Sequence, residues 1–274
     1  MAKRLIPAQR FQRIQAYLEE HRVARNTELC DLLRVSEATV RRDLEALEAR
    51  GLLERTHGGA IWTLRLPHEP VYSLSAEVRR AEKRAIGRAA AALAVDGDTV
   101  FVNSGTTTTE VVRSLAARED LSRLTLVTTN VTGTLEARHP GFDVILLGGL
   151  FRPQSNAVVG AFARRSLSRI YAARAFIGVD GISLKAGVTT PISAEADIAR
   201  QMVERTRGQV VIVADHSKWG VVSNFEIASI DDIHVLVSDR GLPPRARTDL
   251  EDRGIQVVLG EPAPAPDGHL AIPA

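Results

Sequence analysis

Residues 36–50 read SEATVRRDLEALEAR. On a helix, Val40, Leu44 and Leu47 recur at i, i+4 and i+7, a narrow apolar stripe. With successive side chains about 100° apart, Ala38 and Arg42 fall opposite that stripe, and Thr39 and Arg41 flank it. Ser36 stands at the N-cap position, its hydroxyl able to accept from the free N–H groups of the first turn. One face is therefore core, and the other presents small and cationic side chains near a helix N-terminus. A recognition helix needs this: small residues admit the backbone to a groove, and arginines reach phosphates or guanine edges. An ordinary amphipathic surface helix carries the same stripe, so its neighbours decide.

Upstream, Asn26 or Thr27 is placed to cap a short helix in which Leu29, Leu32 and Leu33 recur at i, i+3 and i+4. A tight turn at Arg34-Val35 joins the two helices into a helix-turn-helix. Before it, Pro7 leads a third helix with a stripe of Phe11, Ile14, Tyr17 and Leu18, fringed by Arg10 and Arg13. After it, Gly51 ends the recognition helix. Residues 52–57 then run into Gly58-Gly59 and return through Ala60-Ile61-Trp62, a hairpin signal with glycines for positive φ. Three helices and a hairpin read as a winged helix. Ser36, Thr39, Arg41 and Arg42 are the expected DNA contacts, joined by Arg55 and His57 near the wing tip.

The run VSEATVRRDLEALEARGLLERTHGGA resembles the signature of the DeoR family of bacterial repressors, which typically control sugar catabolism. The resemblance implies that Thr39, Arg41 and Arg42 lie at double-stranded DNA and that Gly58-Gly59 turns the wing.

The chain has 274 residues, 45% of them apolar and 25% charged, which suits one or two globular domains and argues against disorder. Formal net charge is +2, unevenly spread: residues 1–66 hold twelve Lys/Arg against nine Asp/Glu, leaving −1 for the remainder. A basic head on a neutral body agrees with nucleic-acid binding. With one cysteine, Cys30, no internal disulfide can form. No signal peptide and no apolar run near the ~20 residues of a membrane span are read, so a cytoplasmic protein with no membrane partner is expected.

Pro67 and Pro70 mark a boundary. A long helix is expected over 75–93, then strands at 99–102, 124–128, 142–147, 175–179, 209–214, 235–238 and 256–259. Helices near 110–117, 131–138, 162–171, 194–207 and 245–253 alternate with them, which argues a mostly parallel α/β sheet covered on both faces. The expected division is a winged helix-turn-helix over 7–62 (motif about 23–42), a linker over 63–76 and an effector domain over 77–240. A terminal helix and strand (241–260) and a loose tail (261–274) follow.

The first strand of that sheet ends in Asn103-Ser104-Gly105-Thr106-Thr107-Thr108-Thr109 and opens a helix. Glycine lets the backbone approach a ligand, and hydroxyls and N–H groups converge at a positive helix end, chemistry that suits a phosphate monoester. No lysine follows at Walker spacing. Ligands in such sheets bind beyond the carboxyl ends of the strands. There the sequence offers Asn130, Gly149, Arg152, Asp180, Gly181 and Lys218, with Glu195 close by in a loop or first helical turn. Asn130, Arg152 and Lys218 suit hydroxyl and anion contacts; Asp180 and Glu195 suit sugar hydroxyls.

The stretches AEKRAIGRAAAAL, VNSGTTTTE, LVTTN, LLGG, FIGVDGI, SAEA and VADHSKWG resemble the effector domain of DeoR-type repressors. That resemblance implies a fold like ribose-5-phosphate isomerase and a phosphorylated sugar as ligand. Many members carry Asp where this chain has Asn103, so effector identity does not carry over.

The reading is a sugar-phosphate-released transcriptional repressor, without cofactor or metal, working as a homodimer or homotetramer. The alternatives are an isomerase-type enzyme with a DNA-binding head, and an activator using the same sites. Isomerisation needs a carboxylate base and a polarising acid or cation. Asp180 and Glu195 keep carboxylates, but Ser183 stands near where a second loop carboxylate is usual, which reads as binding without catalysis.

Overall fold

The computed structural model describes residues 5–21, 23–49, 52–56, 58–62, 64–65 and 71–262. His57, Gly51, residues 66–70 and nearly all of the expected tail lie outside them. Helix α1 (Pro7–His21) comes first, then a short strand β1 (Val23–Arg25). Helices α2 (Asn26–Leu33) and α3 (Glu37–Glu48) follow, and β2 (Leu53–Thr56) and β3 (Gly59–Trp62) form the wing. The stripe does what its spacing predicts: Val40, Leu44 and Leu47 are buried with Ile14, Leu18 and Leu29 in one core.

Local details differ from the sequence reading. Helix α2 starts one residue after Arg25, whose backbone N–H donates to the Glu28 carboxylate at 2.8 Å, in place of a cap by Asn26 or Thr27. Ser36 precedes α3, but its hydroxyl pairs with that of Thr39 at 3.1 Å. Gly59 is demanded by close approach: a Cβ there would lie 1.9 Å from the Ala24 carbonyl oxygen, because β1 pairs with β3. Arg10 grips the buried Asp43 carboxylate with two bonds of 2.5 and 2.8 Å, fastening α1 to α3.

The described residues of the expected linker include regular elements. Strand β4 (Leu64–Arg65) joins the second body, and helix α4 (Tyr72–Glu77) lies against it. The long helix predicted over 75–93 is two. Val78 is extended and Arg79 left-handed at φ 50°, after which α5 (Arg80–Ala91) begins. No glycine or proline marks that break.

The elements after α5 are β5 (Thr99–Val102), α6 (Thr106–Ala116), β6 (Leu124–Thr128), α7 (Val131–Glu136) and β7 (Phe142–Leu146). A hairpin of β8 (Leu150–Arg152) and β9 (Ala157–Val159) leads to α8 (Ala161–Leu167), β10 (Ala172–Gly178), β11 (Gly181–Ser183) and β12 (Gly187–Thr190). Then come α9 (Ser193–Glu204), β13 (Thr206–Val213), β14 (Val221–Val222) and β15 (Phe225–Ala228). The series ends with β16 (Val235–Asp239), α10 (Pro244–Glu251) and β17 (Gln256–Gly260).

Seven strands form a wholly parallel sheet in the order β17-β16-β13-β10-β5-β6-β7. Alternate residues feed opposite faces: Phe101, Ile177 and Ile212 enter one core, and Val100, Val102, Phe176 and Val211 the other. Strands buried on both sides read as unbroken apolar runs for this reason. Two antiparallel additions, β8-β9 and β11-β12-β15, lie outside the sheet and outside the sequence reading.

Candidate functional site

Strand order reverses at β5, with β6 and β7 on one side and β10, β13, β16 and β17 on the other. At such a switch point the loops leaving adjacent strand ends diverge and open a crevice. A cavity of about 390 Å³ occupies it, lined by Asn103, Ser104, Gly105, Thr106, Thr107, Asp180, Glu195 and Lys218, all expected from the sequence.

Asn103 ties the two central strands together. Its amide nitrogen donates to the Gly178 carbonyl at 2.9 Å, and its oxygen accepts from the Gly178 N–H at 2.8 Å. An aspartate could make the second bond and not the first. The next residues turn through Gly105 at φ 149° into α6, whose first helical turn is threonine. The sequence reading starts this helix at Glu110, since β-branched residues are weak helix formers. In the structure the Thr108 hydroxyl donates to the carbonyls of Asn103 (2.9 Å) and Gly105 (3.0 Å), and that of Thr109 to Gly105 (2.9 Å). Thr106 and Thr107 are left facing the cavity at the positive helix end.

Five expected contacts stand behind the wall. Thr108 is fully buried in the bonds just given. Asn130, also fully buried, donates to the Gly105 carbonyl (3.1 Å) and the Thr109 hydroxyl (2.9 Å) while accepting from the Gly133 N–H (2.8 Å). Gly149 and Gly181 allow backbone contact: a Cβ would lie 2.6 Å from the Val159 oxygen and 2.3 Å from the Val221 oxygen respectively. Arg152 sits one layer out, its Nε 3.4 Å from Glu195 Oε1.

The sequence reading missed the wall supplied by α4 and α5. Tyr72, Ser75, Arg79 and Lys83 line the cavity because the break at Arg79 turns α5 toward it. Lys83 is buried and donates to the Ser75 carbonyl. Burial pushes its ammonium pKa below the usual lysine range, partly offset by Asp215. Lys218 lies 3.6 Å from Asp180, and Arg79 lies 3.7 Å from Asp215. Three cations and three carboxylates thus surround the cavity, with pairings loose enough for an anion to compete.

On the first body, Arg42 and Arg41 are exposed and Thr39 partly so, on the side of α3 away from its core. Arg41 is held by Glu37 at 2.7 Å, whereas Arg42 makes no ion pair among the described residues. Arg55, the wing residue expected at the DNA, is partly buried. It pairs with Glu45 at 2.9 Å and lies in the seam against Lys185 and Asp249 of the second body.

Residues 10–63 match the DeoR-like helix-turn-helix domain, and residues 78–240 match the DeoR C terminal sensor domain. The chain belongs to the DeoR family. It is a DNA-binding transcription regulator with a sensor domain. The HTH-type transcriptional regulator GlpR of Haloferax volcanii is 35% identical over 257 residues, 93% of this chain and 99% of that protein. The HTH-type transcriptional repressor GlcR of Bacillus subtilis is 34% identical, covering 92% and 96%. Ribose 5-phosphate isomerase A from Methanocaldococcus jannaschii aligns with half of the chain and 53% of its own at 16% identity and a TM-score of 0.37. That likeness is one of fold and carries no activity across. No helix among the described residues of this DeoR-family protein is long and apolar enough to cross a membrane.

Proposed function

We propose that this DeoR-family regulator represses a carbohydrate-metabolism operon and leaves its operator when a phosphorylated sugar fills the sensor cavity. The observation that carries the reading is that one crevice joins two groups, the α6 N-terminus with Lys83 and Lys218, and the carboxylates Asp180 and Glu195. The first group suits a phosphate, by dipole and charge-assisted bonds; the second accepts from sugar hydroxyls. Binding without turnover fits the same geometry, because Ser183 points away from the cavity to Glu54 of the wing. A homodimer or homotetramer reading repeated half-sites is part of this reading.

The test is a melting series with glucose 6-phosphate, fructose 6-phosphate, fructose 1-phosphate, ribose 5-phosphate and their unphosphorylated sugars. A ligand at 100 times its Kd stabilises by about 2.7 kcal/mol. The same compounds are then titrated against the protein on an operator selected from random duplexes. Stabilisation by a phosphorylated sugar together with release supports the reading; indifference to all of them removes it. Turnover that scales with protein and vanishes in Glu195→Gln promotes the isomerase instead.

Arg42 supplies an independent check on the DNA face. Arg42→Ala lowers operator affinity by about 5–150-fold (1–3 kcal/mol) and relaxes preference at one base pair if it reads a base. If it holds a phosphate, binding weakens evenly and the salt slope shrinks by about one unit. A folded variant with parental affinity takes Arg42 out of the interface.

A further inference from the structure

The wing is seated on the sensor domain. Ile61 of β3 is buried in the same core as Phe101 and Ile177 of the sheet. Gly220, at φ 75°, lets the backbones meet: a Cβ there would lie 2.6 Å from both Ile61 Cγ2 and the Trp62 carbonyl oxygen. Residues 64–65 of β4 pair in parallel with 221–222 of β14. The Ser183 hydroxyl donates to the carboxylate of Glu54, and both side chains are buried. Ser183 is itself fixed, accepting from the N–H groups of Lys185 (3.2 Å) and Ala186 (2.9 Å). A buried carboxylate bonded across a domain seam costs desolvation that hydrophobic contact does not, so its presence asks for a reason.

Both sensor segments that hold the wing begin in the cavity. Strand β11 starts after Asp180 and reaches Ser183 three residues on, about 10 Å at strand rise. The second segment starts at Lys218 and reaches the Gly220–Val221 contact within three residues. They are bonded to each other at their midpoints, Gly220 N–H to the Ile182 carbonyl at 2.9 Å. At the cavity their first residues form the Asp180–Lys218 pair, whose lysine is open to competition from an incoming anion. A shift at that pair therefore has a short, strand-stiff path to Glu54 on one rail and to Ile61 on the other.

We propose that Glu54 and Ser183 are the coupling residues of this regulator: their bond transmits occupancy of the sensor cavity to the wing. The proposal rests on the phosphorylated-sugar reading above. The coupling residues touch neither ligand nor the exposed face of α3. They act only by fixing the wing relative to the strands that carry Asp180 and Lys218.

Hydrogen exchange of the full chain, as parent, Ser183→Ala and Glu54→Leu, tests it. Without ligand, both variants keep the parental exchange of β5 and β6, while amides of β2 and β3 exchange at least tenfold faster. The chain is then loaded in turn with inorganic phosphate and the four sugar phosphates named above. In the parent, a compound that slows exchange at residues 104–108 also changes exchange at β2 and β3; in the variants it slows residues 104–108 only. Protection of 104–108 in the parent with no response in the wing overturns the coupling and leaves the effector reading standing. Variants whose wing still responds as the parent's does overturn it too. If no compound protects residues 104–108, the effector reading fails and the coupling fails with it. Should Glu54→Leu misfold, faster exchange will extend to β5 and β6, and Ser183→Ala, which removes one hydroxyl, decides.

Discussion

Lys83→Met weakens binding of a phosphorylated sugar by about 10–150-fold and leaves operator affinity without sugar unchanged. The size is that of one charge-assisted hydrogen bond, about 1.5–3 kcal/mol. Lys83 is the cation that the fold brings to the cavity from α5, buried and 23 residues before Thr106, the first threonine of α6 that shares it. Burial lowers its ammonium pKa, and a dianionic phosphate beside it favours the charged form. Methionine keeps most of the stem and removes the charge. Calorimetric titration of parent and variant checks the prediction, with the unphosphorylated sugar as control. Equal phosphate-ester affinities would place the anion elsewhere in the cavity.

Lys83 also shows where sequence stops being informative. The stripe of α3 and the turn at 103–109 are legible because each is local: spacing sets a helix face, and a Ser-Gly-Thr run after an apolar strand sets a ligand-facing turn. The wall supplied by α4 and α5 is not local. It depends on Arg79 adopting φ 50° between two stretches that both favour helix, with no glycine or proline to announce it. Ser183 is similar. Its neighbourhood identifies a loop after a strand, but only the seating of the wing makes its hydroxyl a bond to Glu54.

The run at 142–147 illustrates the opposite limit. Its apolar composition reads as a buried strand, yet β7 is the edge of the sheet, with Ile145 41% and Leu146 43% exposed. Composition reports how apolar a segment is, whereas strand order decides how much of it is covered. The expected ligand contacts divide the same way. Polar residues at strand ends are visible in the sequence; whether they face the crevice, as Asp180 does, or hold its wall, as Asn130 does, follows from packing.

Asn130→Ala tests that wall, and its effect is on folding before it is on binding. The side chain caps α7 through the Gly133 N–H, and loss of such a cap costs about 0.5–2 kcal/mol. Its amide also satisfies the Gly105 carbonyl and the Thr109 hydroxyl in a site closed to water, and abandoning buried partners costs about 1–3 kcal/mol more. Together the loss is about 2–4 kcal/mol, a fall in Tm of roughly 5–15 °C for a domain of this size. Asn130→Asp separates the two contributions. It keeps the acceptor for Gly133 but gives up the donor and places a charge in a fully buried position, so it melts no higher than the alanine variant. Thr134→Ala, which removes a hydroxyl bonded to the Asn130 carbonyl on a partly exposed turn, shifts Tm far less. Scanning calorimetry of the three variants checks the order. An Asn130→Ala protein that melts with the parent would show that α6 and α7 hold the phosphate turn without this amide, and Gly105 would then owe its geometry to the threonine hydroxyls of α6.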